Sequence, residues 1–464
     1  MELALDANPG LQAVRNDLVA SEWDLRSAWG ALLPTASVSG GADWQGSGEQ
    51  RIGSLTLGEL GAAQQPSYLF SNYGFSLNYT LNGSTLLAPA QNRANLTATG
   101  ARIRSEEATL ILDVTQRYLD ALRQQEGLIL TRRELEGAEF NLRLAQAQTE
   151  LGSGSPLDER QAAVSVGRAR IAVLQAETAV RTSRIRLLAA IGVDPRPDLE
   201  LTTGFEVAFP EWSADELIAL AIDGNPGLAA LRAGTSAAEV GVRSARTAYL
   251  PTISLSAGIS GFARQATDSE FLVDQARASV QRSFQACESQ NELYSRLNPP
   301  LPLQDCSRIQ FTEEQANRVR ATNEAFPFDF TRQPASLSLR LSLPLFQGLS
   351  RQRQVEAARV ARDDSRLRVR QEEIRLRAEV TAALDAVETA RASAELEEQN
   401  VALADEQLRL AQEQYRVGSA SFLQLVEAET LKARADRELV AAVFAFHDTV
   451  AALEALVGAS LRTR

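Results

Sequence analysis

The chain has very few residues of the kinds on which many enzymes depend. Its 464 residues include two cysteines, one methionine and one histidine. The histidine, His447, lies in the helical run VFAFHD, where a packed side chain is expected. The sequence contains no Ser-His-Asp set, no cluster of metal ligands and no glycine-rich phosphate loop. We therefore predict no enzymatic activity, no metal site and no cofactor.

A basic surface is missing too. Net charge at pH 7 is −12, and Lys432 is the only lysine, so positive charge comes almost wholly from scattered arginines. Because nucleic acid is a polyanion that binds clustered basic side chains, we predict no nucleic-acid partner. Hydrophobic residues make up 44% of the chain, which is enough to bury a substantial core and argues against general disorder.

Long hydrophobic runs are also absent. No apolar segment approaches the ~20 residues that a transmembrane helix needs. No basic segment followed by an apolar one is present, so we expect a signal peptide to be absent or already removed. The sequence leaves open whether the N-terminus is lipidated. The missing run does not exclude a membrane protein, because the strands of a membrane β-barrel give a much weaker hydropathy signal than a transmembrane helix.

The two cysteines, Cys287 and Cys306, lie in one polar stretch and are either two free thiols or one disulfide. We favour the disulfide, because exposed loop thiols are unusual in an otherwise cysteine-free chain. Closing a loop of this size would stabilise the fold by roughly 3 kcal/mol in the chain-entropy model. The disulfide would also indicate an oxidising compartment.

The sequence is internally duplicated. The segment beginning at Asp6 matches the segment beginning at Asp223 without a gap, at a shift of 217 residues (223 − 6), and includes Asn8/Asn225 and Pro9/Pro226. About half of the aligned positions are identical. This agreement predicts two structural repeats, residues 1–217 and 218–464.

The later parts of the repeats match at a larger shift. The segment LRLAQAQTELGSGSPL from Leu142 aligns with LRLAQEQYRVGSASFL from Leu408, a shift of 266 residues (408 − 142). The additional 49 residues (266 − 217) fall mainly between Phe262 and Pro334, so the second repeat carries a long polar insertion there, within 263–334.

Each repeat is predicted to run helix, strand, strand, long helix, turn and return helix. In the first repeat we place a starting helix, strands 35–46 and 68–82, the long helix 84–150, the turn 151–157, the return helix 158–192 and a connector 193–213. In the second we place helix 225–250, strands 252–262 and 335–346, the long helix 348–416, the turn 417–421 and the return helix 422–458.

The four strands alternate between polar and apolar residues, and Arg340 falls on a polar face. This alternation fits a half-buried antiparallel sheet, and it fits equally a membrane β-barrel with lipid outside and water inside. The strand length of about ten residues and the aromatic residues are compatible with the barrel.

The long helices carry apolar residues at heptad spacing. Residues 351–416 contain neither glycine nor proline, and as one helix they would extend roughly 100 Å. The first stripe predicts coiled-coil packing and consists of Val360, Leu367, Ile374, Leu396, Leu403, Leu410 and Val417. A second stripe on the same helix consists of Leu376, Val380, Leu384 and Val387.

Four strands cannot close a membrane barrel, since the smallest known use eight. Open strand edges in lipid would leave backbone groups unpaired at several kcal/mol each. If the strands lie in a membrane, several chains must pool them.

The duplicated unit, the Asn-Pro helix starts, the strand ending in LSLPLFQG and the turns LGSGSPLD and YRVGSASFLQLVEAE resemble the TolC-like outer membrane efflux proteins, over essentially the whole chain. The resemblance implies a mixed fold of membrane β and all-α parts. Three subunits would each give four strands to a twelve-stranded β-barrel in outer-membrane lipid, and their helices to a periplasmic α-barrel. The connector 193–213 resembles part of the equatorial region of that family.

The resemblance further implies a passive exit duct in the outer membrane of a Gram-negative bacterium. Its partners would be two further copies, a periplasmic adaptor (membrane fusion) protein, and an inner-membrane pump of the RND or ABC class, in multidrug efflux or type I secretion. The loops between paired strands, including the insertion 263–334, would face outside the cell, and Arg340 would line the barrel lumen. The alternative is a soluble structural coiled-coil scaffold, which the strands and the duplication do not favour.

In that family the turns between long helices form the periplasmic tip, which is closed at rest and contacts the adaptor. Its signature, a valine and glycine followed by a small or apolar residue, resembles two segments here. They are Val417, Gly418 and Ser419, and less closely Leu151, Gly152 and Ser153.

Just beyond the second turn, well-studied relatives place two aspartates one helical turn apart as an acidic constriction. Gln424 and Glu427 occupy those positions, so the resemblance implies a gate in which three Glu427 carboxylates attract cations. The simpler interpretation is that both residues only cap a solvated turn. The tip-locking tyrosine of the family corresponds to Tyr415 and its partner aspartate to Asp158, whereas Ala420 replaces an arginine of such locks.

Overall fold

A computed structural model describes residues 1–48, 51–56, 66–152, 154–194, 201, 207 and 210–461. The chain divides into two compact units. The helical unit comprises Met1–Trp29, Leu87–Ala248 and Gln347–Arg464, and the strand unit comprises Gly30–Leu86 and Tyr249–Phe346.

The helices are α1 (Glu2–Ala7), α2 (Pro9–Gly30), α3 (Gly83–Glu150), α4 (Pro156–Ile191), α5 (Ala214–Gly224), α6 (Pro226–Arg246), α7 (Ser269–Ser295), α8 (Glu313–Thr322), α9 (Ser350–Arg416) and α10 (Phe422–Val457). The strands are β1 (Thr35–Gln45), β2 (Arg51–Ile52), β3 (Leu55–Thr56), β4 (Tyr68–Leu81), β5 (Thr252–Ala266), β6 (Thr331–Arg332) and β7 (Ser336–Ser342). Short 3-10 turns occupy Thr247–Tyr249 and Cys306–Arg308.

Several element bounds differ from the sequence-based ones, for local reasons. The return helix α4 starts at Pro156 rather than 158, because Ser155 caps it and proline suits the first helical position. Strand β7 stops at Ser342 rather than 346, ahead of Pro344, which has no N–H for a ladder bond. Helix α9 begins at Ser350 rather than 348, because Gly348 and Leu349 both have positive φ.

Three further differences concern α6, β5 and α5. Helix α6 ends at Arg246 rather than 250, and strand β5 continues to Ala266 rather than 262. Helix α5 was not predicted, although the capping box between Ser213 and Glu216 was a readable signal for its start. Most of the predicted connector 193–213 lies outside the described residues.

The strand unit is built around an antiparallel sheet in the order β1-β4-β5-β7, with β6 extending the β7 side. The polar face carries serine pairs across neighbouring strands, Ser37 with Ser76 and Ser256 with Ser338, each at 2.7 Å between hydroxyl oxygens. The apolar face is open among the described residues: Val38 is 81% exposed and Leu337 is 74% exposed. A half-buried sheet would cover this face, so the exposed side chains favour the membrane interpretation.

The insertion 263–334 is a folded element rather than a loop. Helices α7 and α8 pack together through Val273 and Ala316, which are both fully buried. A disulfide joins Cys287 in α7 to Cys306 in the following 3-10 turn, with 5.9 Å between the Cα atoms. Burial of apolar side chains and the disulfide together order a segment whose polar composition predicted a loop.

In the helical unit, the second heptad stripe of α9 lies in the core. Leu376, Val380, Leu384 and Val387 pack with buried residues of α5 and α10. A separate cluster joins α1, α3, α4 and α10 around Leu119, Leu122 and Leu187. The first stripe of α9 remains exposed.

The duplication is visible in matching contacts at both sequence shifts. Asn8 accepts a hydrogen bond from the Leu11 N–H and donates to the Ala190 carbonyl. Asn225 does the same with Leu228 and Leu456. Likewise Arg15 pairs with Glu107, and Arg232 pairs with Glu373. Each repeat therefore ties the start of its second short helix to the end of its own return helix.

Helix α10 corrects the expectation that no segment could span a membrane. By length and composition it is apolar enough to do so, with a window of mean hydropathy 1.7. Its apolar residues have a local explanation, because Phe446, Val450 and Leu453 are buried in the cluster with α5 and α9.

Candidate functional site

The first predicted tip turn joins α3 to α4. Leu151 follows the end of α3 and is 83% exposed, and Gly152 has a φ of 74°, a left-handed conformation that favours glycine. Ser153 lies outside the described residues. Ser155 then starts α4 by accepting a hydrogen bond from the Leu157 N–H.

The second turn, between α9 and α10, uses the same devices. Val417 is 71% exposed and Gly418 has a φ of 78°. The Ser419 N–H donates to the Gln414 carbonyl at 2.9 Å and the Ser419 hydroxyl to the same oxygen at 3.0 Å. These bonds satisfy the last turn of α9, which leaves Val417 and Gly418 projecting from the end of the hairpin.

The ends of all four hairpin helices pack together. The cluster contains Ala145 of α3, Ala162 of α4, Tyr415 of α9, and Phe422 and Leu425 of α10. A hydrogen bond from the Gln148 amide to the Tyr415 carbonyl, 3.3 Å long, also links α3 to α9. Both turns are therefore held at one end of the helical unit, as parts of a single site.

Tyr415 and Asp158 are brought close but are not hydrogen-bonded to each other. The tyrosine is 4% exposed, its ring is 5.8 Å from that of Phe422, and its hydroxyl has no hydrogen-bond partner among the described residues. Burial raises the pKa of Tyr415, and the negative charge of Asp158 raises it further.

Gln424 and Glu427 have different roles. The Gln424 side chain accepts a hydrogen bond from the Ser421 N–H at 2.9 Å and completes a capping box at the start of α10. Gln424 therefore caps a solvated turn, as the simpler interpretation of the sequence expected for both residues. Glu427 lies one turn further on with its side chain exposed, and no ion pair or hydrogen bond holds it within the described part of the chain. Its carboxylate is available to solvent and ions.

Other predicted site residues lie in the strand unit. Arg340 is exposed on the polar face of β7, opposite Ser254 of β5. Cys287 and Cys306 form the disulfide described above. None of the three belongs to the cluster at the helix ends.

Sequence reasoning missed a group of buried and half-buried polar side chains close to the two turns. Asn141 of α3 is 2% exposed and donates a hydrogen bond to the carboxylate of Glu429 on α10. Lys432 pairs with Asp436 at 2.7 Å. Glu429, Lys432 and Asp436 line a cleft of about 550 Å³ between α3, α4, α9 and α10. The available signals were that Lys432 is the sole lysine and that Asn141 falls on the buried side of its helix.

Burial raises the pKa of Glu429, an effect that the hydrogen bond from Asn141 partly offsets. Burial also raises the pKa of Glu134, which Arg437 lowers and Asp436 raises. The Asn141 carbonyl oxygen has no partner among the described residues. A protonated Glu429 has a proton to donate to that oxygen, whereas the ionised form has none.

This arrangement predicts that the tip tightens as pH falls. Native Glu429 binds its proton more strongly than unfolded Glu429, so stability decreases as pH rises from the ordinary glutamate pKa to the raised one. Glu429→Gln keeps an acceptor for Asn141 and adds a donor. At pH 7 it should slow amide exchange around 137–141 and 426–433 about threefold to tenfold, equivalent to one hydrogen bond.

The matched control is Glu427→Gln, which changes an exposed carboxylate two residues away and should leave exchange unchanged. As pH is lowered, the amide exchange rate of the wild type, corrected for its intrinsic pH dependence, should approach the rate of Glu429→Gln. Equal exchange in the wild type and Glu429→Gln at pH 7 would contradict the role of the buried carboxylate.

Comparison with known proteins agrees with the architecture. A family model described as Outer membrane efflux protein matches residues 1–193 and 310–459. Outer membrane efflux protein BepC of Brucella suis biovar 1 (strain 1330) is 27% identical over 158 residues, 34% of each chain. Pyoverdine export outer membrane protein OpmQ of Pseudomonas aeruginosa is 30% identical over 164 residues, 35% of this chain and 34% of its own. The matched region spans about a third of each relative.

The fold is also that of a solved outer membrane protein. The crystal structure of VceC from Vibrio cholerae superposes with a TM-score of 0.69 at 16% identity, covering 99% of this chain and 95% of that one. Identity at this level shows the shared fold alone. Because the family model matches well over half of the residues, the chain belongs to the outer membrane efflux protein family and is an outer-membrane protein.

Proposed function

We propose that this chain is one subunit of a homotrimeric exit duct, which passively conducts substrates across the periplasm and outer membrane. In this proposal a periplasmic adaptor and an inner-membrane RND or ABC pump deliver the substrate, in multidrug efflux or type I secretion. The repeats 1–217 and 218–464 act as two equivalent halves of each subunit.

The observation that carries the proposal is the open sheet. Among the described residues, β1 and β7 each pair on one side only, and the apolar face is uncovered away from the strand ends that the insertion contacts. A hydrocarbon environment accepts that face but not the unpaired edges. Three copies joined edge to edge would give a twelve-stranded barrel, with the serine pairs and Arg340 facing its lumen.

The exposed stripes on the helices supply a second contact between copies. Leu157, Val164, Ile171 and Ile185 of α4 lie at multiples of seven residues and are exposed, as is the first stripe of α9. Heptad stripes of this kind pack against a partner helix. We assign them to contacts between neighbouring subunits, where each would bury apolar surface that one subunit leaves in water.

The helix ends form the proposed gate and docking tip. Three Glu427 side chains would ring the opening, and a hydrogen bond between Tyr415 and Asp158 would satisfy the hydroxyl that lacks a partner in one subunit. The exposed Leu151, Gly152, Val417 and Gly418, with Ser419 and the undescribed Ser153, are the proposed adaptor contacts.

Conductance of the purified trimer in planar bilayers tests this function. The wild type should show a low-conductance closed state and prefer cations, because three carboxylates raise the local cation concentration. Glu427→Ala should lose that preference, whereas Glu427→Asp should keep it.

Gln424→Glu is the complementary variant. Glutamate at this position preserves the capping box, so the helix start is unaffected, and it doubles the carboxylates at the ring. Its cation preference should exceed that of the wild type. A pore that is permanently wide open, or selectivity that ignores both positions, would contradict the proposed gate.

A further inference from the structure

The folded insertion packs against the end of the β4–β5 pair. On the apolar face, the Phe330 ring packs edge-on against Tyr73 at 4.9 Å, and the Ser71 hydroxyl donates to the Pro327 carbonyl at 2.6 Å. On the polar face, the Arg264 guanidinium lies 3.8 Å from the centre of the Tyr68 ring. Arg264 pairs with Phe70 in the ladder and shares its face with Ser256 and Ser76.

A cleft of about 540 Å³ opens beside Arg264, between the strand end, α7 and α8. Its polar lining consists of Arg264, Gln275, Ser279, Arg282, Thr322 and Asn323, and none of its lining residues is acidic. Two cationic groups and several neutral hydrogen-bonding groups therefore face one space without a carboxylate of their own.

The nearby carboxylates have other partners. Glu270 is bound by Arg320 at 2.8 and 3.2 Å, and Asp274 pairs with Arg277 at 2.8 Å. Neither carboxylate lines the cleft, and within the described residues neither Arg264 nor Arg282 forms an ion pair. The positive charge of the cleft is thus left for an external anion.

Two contacts hold one wall of the cleft in place. The Asn323 side chain is buried and bonds both the N–H and the carbonyl of Ala266, at 2.7 and 2.8 Å, which fixes α8 to the end of β5. Stacking on Tyr68 holds the plane of Arg264 and leaves the edge of its guanidinium free to donate. A site that is ordered before binding loses less entropy when a ligand arrives.

We propose that this cleft binds small soluble oxyanions, through their phosphate or carboxylate groups, at the outer mouth of the duct. Guanidinium groups match such oxygens with paired hydrogen bonds, and the Gln275 amide and the Ser279 hydroxyl complete the set. The location at the mouth rests on the proposed function, because it follows from assigning the polar sheet face to the channel. That assignment makes the ligand a soluble anion rather than a lipid headgroup.

Calorimetric titration of the purified full chain in detergent with inorganic pyrophosphate tests the binding. Arg264→Gln combined with Arg282→Gln should weaken the affinity at least about tenfold, because two charged donors are lost. Arg296→Gln is the matched control: it removes the arginine just after the end of α7, which pairs with Glu292, and it should leave the affinity unchanged. Wild-type affinity in the double variant would overturn the proposal.

Two further arms locate the site. Pyrophosphate added on the external side of a planar bilayer should reduce conductance in the wild type and not in the double variant. Binding only to nanodiscs containing phosphatidic acid, with no binding of soluble pyrophosphate, would overturn the proposed ligand class. If the protein bound pyrophosphate in detergent but formed no channel, the proposed duct function would be contradicted and the proposed anion site would be retained.

Discussion

Leu403→Asp is expected to abolish most of the proposed trimer. Leu403 lies in the middle of the exposed stripe of α9 and is 67% exposed in one subunit. If the stripe is buried between copies, the substitution removes about 2 kcal/mol of apolar burial at each of three equivalent contacts. It also places a carboxylate in each contact, at a further cost of several kcal/mol.

The measurement is the mass of the detergent-solubilised protein, by light scattering with the detergent subtracted. Leu403→Met is the matched control, since it keeps the apolar volume and should remain trimeric. Because Leu403 is exposed in the subunit, the fold of the monomer should survive, and its far-UV circular dichroism should be unchanged. A trimer of wild-type stability in Leu403→Asp would remove the stripe from the subunit contact.

Gly458→Ala should be strongly destabilising, because this glycine is required by both backbone and space. It ends α10 with a φ of 77°, and an added Cβ would lie 2.4 Å from the carbonyl oxygen of Gly224. Alanine in the left-handed region costs about 1 kcal/mol or more, and the backbone clash adds to it. We expect a total above about 3 kcal/mol, at the severe end for a single substitution.

Thermal unfolding followed by circular dichroism checks this result, with a midpoint several degrees below that of the wild type. Gly234→Ala provides the control: this glycine is inside α6 with open space around it, and alanine there should stabilise by up to about 1 kcal/mol. The duplication adds a second test. Gly192 has a φ of 90° and would clash with the Ala7 carbonyl at 2.7 Å, so Gly192→Ala should resemble Gly458→Ala.

The two helix ends show how the duplicated halves have diverged. Both turns place a glycine with positive φ just after a long helix, and both restart with a serine cap. Only the second continues with the capping box of Ser421 and Gln424. An acidic residue at position 424 would preserve that cap, so the fold does not explain why an amide is found there.

Much of the fold was predictable because its signals are local. Heptad spacing, the Asn-Pro helix starts and the strand alternation depend on neighbours within one or two turns, and they placed the long helices and the main strands near their observed bounds. Internal duplication added a check, because each element was predicted twice. Where bounds were wrong, a cap such as Ser155 or a backbone device such as Leu349 decided the start.

The contacts between distant segments required the tertiary structure. Asn141 and Glu429 are 288 residues apart, and helical periodicity says which face each occupies but not which helix that face meets. The packing of the insertion against β4 and β5 was not predictable either. The insertion is polar in composition, and one disulfide and a few buried side chains order it.

The sequence by itself determined the repeated order of helices and strands, the turns at the helix ends and the residues presented there. The structure decided that Gln424 serves as a helix cap, that Tyr415 is buried beside Asp158, and that Arg264 and Arg282 share a cleft. The physical reason is that periodicity and capping are properties of one segment. Burial, pKa shifts and uncompensated charge depend on which segments pack together.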